Sequence, residues 1–125
     1  MENLRVFSFE KLEVWKKSKE LIIEVYALTR HFPPEERFGM TSQIQRAAIS
    51  IANNIAEGNS RSTQNDKKYF LTIAYGSLME TLNLIIIGAE LNYISISDYY
   101  RLRKQIQIIG FMLTKLKIAT TQKSS

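Results

Sequence analysis

The 125-residue chain contains no cysteine, only two prolines and a single histidine. Without cysteine it forms no disulfide, no thiolate metal site and no cysteine nucleophile. Its composition, 45% hydrophobic and 23% charged, is typical of a compact domain and excludes a wholly disordered chain. At this length folding buries about two thirds of the unfolded chain's surface, so the hydrophobic core can stabilise the fold without disulfide bonds. We expect one cytoplasmic domain over residues 1–125.

The sequence also lacks a long hydrophobic run and a targeting signal. The longest uninterrupted apolar run covers residues 84–89, far short of the ~20 residues that cross a bilayer. Residues 1–9 alternate polar and apolar side chains and lack the apolar stretch of a signal peptide. We therefore predict a soluble protein, peripheral at most, and expect no membrane partner.

Acidic residues are missing from the C-terminal segment. The formal charge is +5, from 17 Lys and Arg against 12 Asp and Glu, and Asp98 is the last acidic residue. The cations beyond it are Arg101, Arg103, Lys104, Lys115, Lys117 and Lys123. The whole basic excess therefore follows Asp98. Such an asymmetry indicates an anionic partner, with nucleic acid or an anionic membrane surface as the usual choices.

Because the two prolines are adjacent, at Pro33 and Pro34, the rest of the chain is free of strong helix breakers. Apolar residues recur at threes and fours and predict four helices, at about 9–31, 41–57, 63–91 and 97–119. The predicted N-caps are Ser8, Thr63 and Ser95, and Gly58 is the predicted left-handed residue that ends helix 2. Such helices, joined by short turns, favour an all-α, antiparallel up-down four-helix bundle.

Two of the predicted helices are apolar nearly all the way round. A lone bundle needs one apolar stripe on each helix. Helix 3 carries four consecutive large apolar residues at 84–87, and helix 4 carries six between 106 and 113. A second apolar face in so small a chain indicates burial against other copies of itself, so we predict a homo-oligomer.

Signals for catalysis and for metal binding are weak. The one histidine, His31, falls at the end of helix 1, where an imidazole commonly interacts favourably with the C-terminal end of the helix dipole. Glu20 and Glu24 lie one turn apart, but a di-metal bundle needs Glu-x-x-His pairs, and Lys16 precedes Glu20 at i,i+4 as in a solvated ion-pair face. No P-loop or GxGxxG motif occurs. We predict no enzyme, no metal and no cofactor.

Helix 2 carries a polar stripe at spacings of three and four. Its members are Gln43, Arg46, Ser50, Asn54, Glu57 and Arg61. Amides, a hydroxyl and opposite charges can satisfy one another when they are buried, whereas a solvated face is more often rich in Lys and Glu. On helix 3, Glu80 can accept a bidentate Arg46, and Gly76 and Ser77 allow close helix approach. We interpret the stripe as a structural network at a helix or subunit contact.

The segment 58–63 contains glycine and a cation and leads into a helix N-terminus followed by Lys67 and Lys68. We interpret this segment as a tight turn followed by an N-cap, with a phosphate-binding site as the alternative.

On a helical wheel, helix 4 shows a basic stripe separate from the residues that face the bundle. Its members are Arg101, Lys104, Ile108, Phe111 and Lys115. A solvated face, a nucleic-acid-binding face, a subunit contact rimmed by cations and an anionic-membrane face all fit this pattern. For nucleic acid we expect phosphate contacts that are sensitive to salt and insensitive to sequence. The candidate residues are Arg101, Arg103, Lys104, Lys115 and Lys117, with Arg61, Lys67 and Lys68 as a second group.

Six short strings together point to a known family. They are residues 41–43 (Thr-Ser-Gln), 46–48 (Arg-Ala-Ala), 50–61 (Ser-Ile-Ala-Asn-Asn-Ile-Ala-Glu-Gly-x-x-Arg), 74–80 (Ala-x-Gly-Ser-Leu-x-Glu), 9–15 (Phe-x-x-Leu-x-Val-Trp) and 32–36 (Phe-Pro-x-x-Glu). In these strings the chain resembles the four-helix-bundle proteins encoded by intervening sequences in bacterial 23S ribosomal RNA genes. One departure is Ala52, where the family often has proline, so we expect a straighter helix 2.

The resemblance implies a homo-oligomeric ring, a homopentamer, and similarity to the accessory variability proteins of diversity-generating retroelements, which bind nucleic acid and a reverse transcriptase. We therefore expect a non-enzymatic protein that binds nucleic acid nonspecifically, RNA more than DNA. The alternative is a structural or interaction scaffold that recruits another protein, such as a nucleic-acid enzyme, and does not contact nucleic acid itself.

Overall fold

A computed structural model describes residues 3–122, which form four α-helices and two short 3-10 turns. The helices are α1 (Glu13–Thr29), α2 (Met40–Asn59), α3 (Gln64–Glu90) and α4 (Ile96–Gln122). The 3-10 turns are Ser8–Lys11 and Pro34–Glu36. The described residues contain no strand, and each predicted helix has a counterpart, so the all-α prediction is confirmed.

The N-caps predicted for the last two helices are confirmed. The Thr63 hydroxyl accepts the Asp66 amide hydrogen at 3.1 Å, and the Ser95 hydroxyl accepts that of Asp98 at 3.1 Å. Each cap satisfies a backbone donor that has no partner inside the helix.

The N-cap predicted at Ser8 is wrong. Ser8–Lys11 is a separate 3-10 turn, and α1 begins only at Glu13. The Phe7 amide donates to Glu10 Oε2 at 2.8 Å, so this glutamate caps the short turn and does not extend α1.

The prediction that Gly58 ends α2 in a left-handed conformation is also wrong. α2 continues to Asn59, and no glycine among residues 3–122 has a positive φ. Gly58 is buried, and a Cβ at this position would lie 2.9 Å from Phe70 Cβ. The glycine is therefore required by the close approach of α2 and α3. The left-handed residue is Asn92, with φ of 63°, in the α3–α4 turn.

Each helix packs against two neighbours: α1 and α3 both contact α2 and α4. The α2–α3 contact is the most extensive and the α1–α4 contact the least. Along α2 and α3, Asn59 lies near Lys67 and Ser50 near Ser77, so residue numbers fall on one helix as they rise on the other. The fully buried core includes Leu21, Val25, Ile44, Ile51, Ile55, Leu78, Ile85, Leu102, Ile106, Ile109 and Leu113.

By length and composition α3 is apolar enough to cross a membrane, a test that core helices of soluble proteins also pass. Leu71, Ala74, Leu78 and Ile85 are buried within the bundle, which accounts for much of this apolar character. Single polar residues break the apolar stretch of α3, so its longest uninterrupted run is short although the helix as a whole is apolar.

The bundle leaves large apolar side chains exposed, as the sequence predicts. On α4, Phe111 is 65% exposed and Ile108 is 44% exposed. Within the apolar run of α3, Leu84 and Ile85 are buried and Ile87 is exposed, so this run serves mainly the core. Outside this run α3 exposes further large apolar side chains, among them Met79, so both helices carry apolar surface beyond the core.

Candidate nucleic-acid interface

The basic excess of the described chain lies at one end of the bundle. We call this end, which is made of residues 3–21, 50–77 and 109–122, the basic end. Its helices meet around a small cavity that is lined by Leu12, Gly58, Lys67 and Leu116 among others. It holds ten Lys and Arg against five Asp and Glu, a net charge of +5, whereas residues 22–49 and 78–108 hold six against six. Its cations are Arg5, Lys11, Lys16, Lys17, Lys19, Arg61, Lys67, Lys68, Lys115 and Lys117.

Arg101 lies in the neutral half and is held by two carboxylates. Its Nε donates to Glu24 Oε1 at 2.9 Å, and its Nη1 donates to Asp98 Oδ1 at 2.6 Å. The hydrogen bond from Arg101 holds the pKa of Asp98 below its ordinary value, and that to Asp98 raises the pKa of Arg101. Arg101 therefore adds little positive potential for a phosphate.

The other two cations at the start of α4 also lie away from the basic end. Arg103 donates from Nη1 to the Tyr99 hydroxyl, and Lys104 is exposed. About 16 Å of helix separates Lys104 from Lys115. The predicted stripe of Arg101, Lys104 and Lys115 is thus divided between the two halves of the bundle.

Lys115 and Lys117 are the α4 cations that reach the basic end. The Lys115 ammonium lies 5.3 Å from the centre of the Phe111 ring. Lys117 Nζ donates to Thr72 Oγ1 on α3 at 2.7 Å. Both lysines are exposed, and Lys123 lies outside the described residues.

The second predicted group, at the α2–α3 turn, is partly occupied by contacts within the chain. Arg61 pairs with Glu57 at 3.4 Å, and its guanidinium lies 4.7 Å from the Phe70 ring centre. Lys67 Nζ donates to the Asn59 carbonyl at 3.2 Å, at the C-terminal end of α2 where a cation is favourable. Lys68 is partly buried on α3. The turn with an N-cap is observed, and a phosphate site here stays a prediction.

The centre of the predicted polar network is formed between α2 and α3. The Ser50 and Ser77 hydroxyls are 2.8 Å apart, and Asn54 Nδ2 donates to the Ser50 carbonyl at 2.8 Å and to its hydroxyl at 3.0 Å. These contacts satisfy partly buried polar groups.

The outer members of the network do not meet within the chain. Gln43, Arg46 and Glu80 are exposed, and the predicted Arg46–Glu80 ion pair is not formed between described residues. A Cβ at Gly76 would have no atom within 4 Å, so this glycine makes no close approach inside the chain. A subunit contact at these positions stays a prediction.

Two apolar grooves beside α4 were not foreseen from the sequence. The α1–α4 groove, about 580 Å³, is lined by residues that include Leu12, Val14, Ile108, Phe111 and Leu116. The α3–α4 groove, about 450 Å³, is lined by Leu71, Thr72, Tyr75, Leu113, Thr114, Lys117, Ile118, Thr121 and Gln122. The amphipathic pattern of α4 indicates that it has excess apolar surface, but only the packing shows where that surface remains open.

The sequence also gave no sign that Glu24 acts as the acceptor for α4. One of its oxygens accepts from Arg101, and the other accepts from Gln105 Nε2. Glu20 pairs instead with Lys17 at 3.9 Å, not with the predicted Lys16. His31 is exposed beside Glu24, Asp98 and Arg101, and the described residues contain no cluster of three potential His, Cys, Asp or Glu metal ligands.

Comparisons with known proteins agree with this architecture. A family model described as 23S rRNA-intervening sequence protein matches residues 10–115. No curated protein matches. A crystal structure from Bacteroides thetaiotaomicron VPI-5482, described as a protein with unknown function from the S23 ribosomal protein family, has a TM-score of 0.78 at 25% identity, covering 83% of this chain and 97% of that one. Since the family match spans most of the residues and the fold agrees, the chain belongs to the family of 23S rRNA-intervening sequence proteins.

Proposed function

We propose that this chain is a non-enzymatic, homo-oligomeric protein that binds RNA nonspecifically through its basic end. The observation that carries the proposal is the location of the charge. The basic end has a net charge of +5, whereas the net charge of the other half of the described chain is zero. We propose RNA rather than DNA because the resemblance places the coding sequence of such proteins within the 23S rRNA gene, which brings the protein and ribosomal RNA into the same cell.

The exposed Lys115 and Lys117 on α4, with Lys68 on α3, are the principal phosphate contacts in this proposal. Each lysine neutralises a phosphate and releases counterions, so affinity falls steeply as salt is raised. Contacts of this kind position a nucleic acid without reading its sequence. Arg61 and Lys67 contribute to the potential although they have partners within the chain.

The proposal places antiparallel up-down bundles in a ring, a homopentamer in the cytoplasm, joined through the α1–α4 groove. The exposed Ile108 and Phe111 and the loose α1–α4 packing support a subunit contact there, because apolar surface of this kind is commonly buried against a partner. A ring repeats the basic end once for each subunit, so weak contacts combine through effective concentration.

The direct test is binding of 23S rRNA fragments and of random RNA of equal length at 50 and 200 mM salt. We expect similar affinities for the two RNAs and a large loss at the higher salt. The double variant Lys115→Glu, Lys117→Glu should bind far more weakly than wild type, whereas Lys104→Glu, on the neutral half of the same helix, should bind nearly as well. Equal losses in the two variants would contradict the assignment to the basic end.

The second candidate is a scaffold that recruits another protein without touching nucleic acid. The apolar grooves on both sides of α4 favour it, since either groove can hold a partner's side chains. Absorbance at 260 and 280 nm distinguishes the two functions. An RNA-binding protein purifies with a high ratio that drops after a high-salt wash, whereas a scaffold shows a low ratio throughout.

A further inference from the structure

Two exposed tyrosines lie on either side of a lysine at the basic end. Tyr69 is 61% exposed and Tyr75 is 41% exposed, and they lie three residues before and after Thr72 on α3. The Thr72 hydroxyl accepts from Lys117 Nζ, which brings the ammonium of α4 to this part of α3. The two tyrosine positions are about 9 Å apart along the helix axis.

The α3–α4 groove extends this surface into a recess. Tyr75 lines the groove together with Leu71, Leu113 and Ile118, and Lys117 lies at the same groove. Its volume of about 450 Å³ lies in the range of pockets that hold small organic ligands. The recess thus offers a mostly apolar lining for a planar group with a cation beside it.

The charge around the α3–α4 groove favours an anionic occupant, because the groove lies at the basic end, whose net charge is +5. A polyanion with planar apolar groups fits both the charge and the lining.

We propose that the basic end binds unpaired nucleotides of single-stranded RNA. Bases stack on Tyr69 and Tyr75, and Lys117 contacts the phosphate between them. The inference rests on the proposed RNA-binding function and adds the strand type that the site accepts. Every base has a face that stacks on an aromatic ring, whereas the bases of a duplex are already stacked on one another, so this surface favours single strands regardless of sequence.

The experiment measures fluorescence anisotropy with a labelled 12-nucleotide RNA that cannot pair with itself and with a 12-base-pair RNA duplex. We expect wild type to prefer the single strand. Tyr69→Ala should weaken single-strand binding by roughly tenfold and leave duplex binding unchanged. The matched control is Tyr100→Ala, because Tyr100 is 64% exposed but lies in the neutral half, and it should change neither affinity.

A second pair of variants separates stacking from charge. Lys117→Gln should weaken binding of both RNAs and lower the salt slope by about one, whereas Tyr69→Ala should leave the slope unchanged. Lys104→Gln is the matched control for the lysine. Far-UV circular dichroism and a mass measurement establish that each variant keeps its fold and assembly.

The outcomes distinguish the inference from the function on which it rests. Equal affinity for single strand and duplex, or equal effects of Tyr69→Ala and Tyr100→Ala, overturns the single-strand inference, and salt-dependent binding that is weakened by Lys117→Gln then leaves the proposed function standing. Loss of assembly in Tyr69→Ala also overturns the inference, because Tyr69 would then lie in a subunit contact. Absence of RNA binding by wild type overturns both.

Discussion

Gly58 and Gly76 both have roles in the structure that differ from those predicted. A Cβ at Gly58 would lie 2.9 Å from Phe70 Cβ and 3.5 Å from the Lys67 carbonyl, both close to the backbone of α3. A Cβ at Gly76 would meet no atom within 4 Å. Both glycines lie inside helices, where alanine is intrinsically favoured by about 1 kcal/mol.

We expect Gly58→Ala to destabilise the protein by about 1 kcal/mol, because overpacking costs roughly 1–3 kcal/mol and outweighs the helix propensity gained. Gly76→Ala should instead stabilise the fold by about 0.5–1 kcal/mol. Urea unfolding of the two variants beside wild type tests this. If Gly58→Ala proved as stable as Gly76→Ala, the close approach of α2 and α3 would not require glycine. Loss of assembly in Gly76→Ala would place a subunit contact at that residue.

The Asp98–Arg101 pair predicts a small pH dependence of stability. Because the pKa of Asp98 is lowered in the folded state, its contribution is present above the ordinary value of 3.8 and is lost as the pH falls through the lower folded value. The side chains are 35% and 48% exposed, so solvent screening limits the contribution to about 0.5 kcal/mol.

The test compares Asp98→Asn with wild type by urea unfolding at pH 7 and pH 2.5 in low salt. We expect the variant to be slightly less stable at pH 7, with a smaller difference at pH 2.5. Asp66→Asn is a matched control, since Asp66 also follows its N-cap by three residues but has no ion pair among the described residues. A loss in Asp66→Asn equal to that in Asp98→Asn would show that the arginine contact adds nothing.

At the scale of elements, the helix starts follow from local chemistry wherever a hydroxyl caps a backbone amide. Thr63 and Ser95 are recognisable in the sequence because each cap contacts a residue only three positions away. The start of α1 was misplaced because Ser8 opens a separate 3-10 turn that the glutamate at position 10 caps. Helix propensity does not distinguish a short turn from the first turn of a longer helix.

We expect Ser95→Ala to destabilise the protein by about 1 kcal/mol, because the Asp98 amide loses its acceptor at the start of α4. Ser97→Ala, an exposed position within the first turn of the same helix, should change stability by less than about 0.5 kcal/mol. Thermal unfolding followed by circular dichroism measures both. Similar losses would mean that the Ser95 hydroxyl does not stabilise α4.

At the scale of the whole molecule, the exposed apolar residues of α4 bear on assembly. We expect wild type to form an oligomer and Phe111→Glu to weaken or abolish it, because a charge would then be buried in the proposed subunit contact. Phe38→Glu is the matched control, since Phe38 is also exposed but lies in the α1–α2 connection.

Light scattering with size-exclusion chromatography at micromolar concentration measures the mass of each protein. A wild-type monomer would contradict the proposed assembly. Equal masses for wild type and Phe111→Glu would place the subunit contact elsewhere on the bundle.

The sequence by itself determined the four helices, two of their caps and the family resemblance, because these depend on residues that are close in the chain or repeat with the helical period. It also showed that the last segment is basic. Only the tertiary structure decided where that charge acts: it places Arg101 against Glu24, from a helix 77 residues away, and brings Lys117 to Thr72 on α3. Electrostatic potential depends on distance in space and not on position in the sequence. The positive charge that the sequence assigns to the C-terminal segment therefore belongs, in the structure, to the basic end of the bundle.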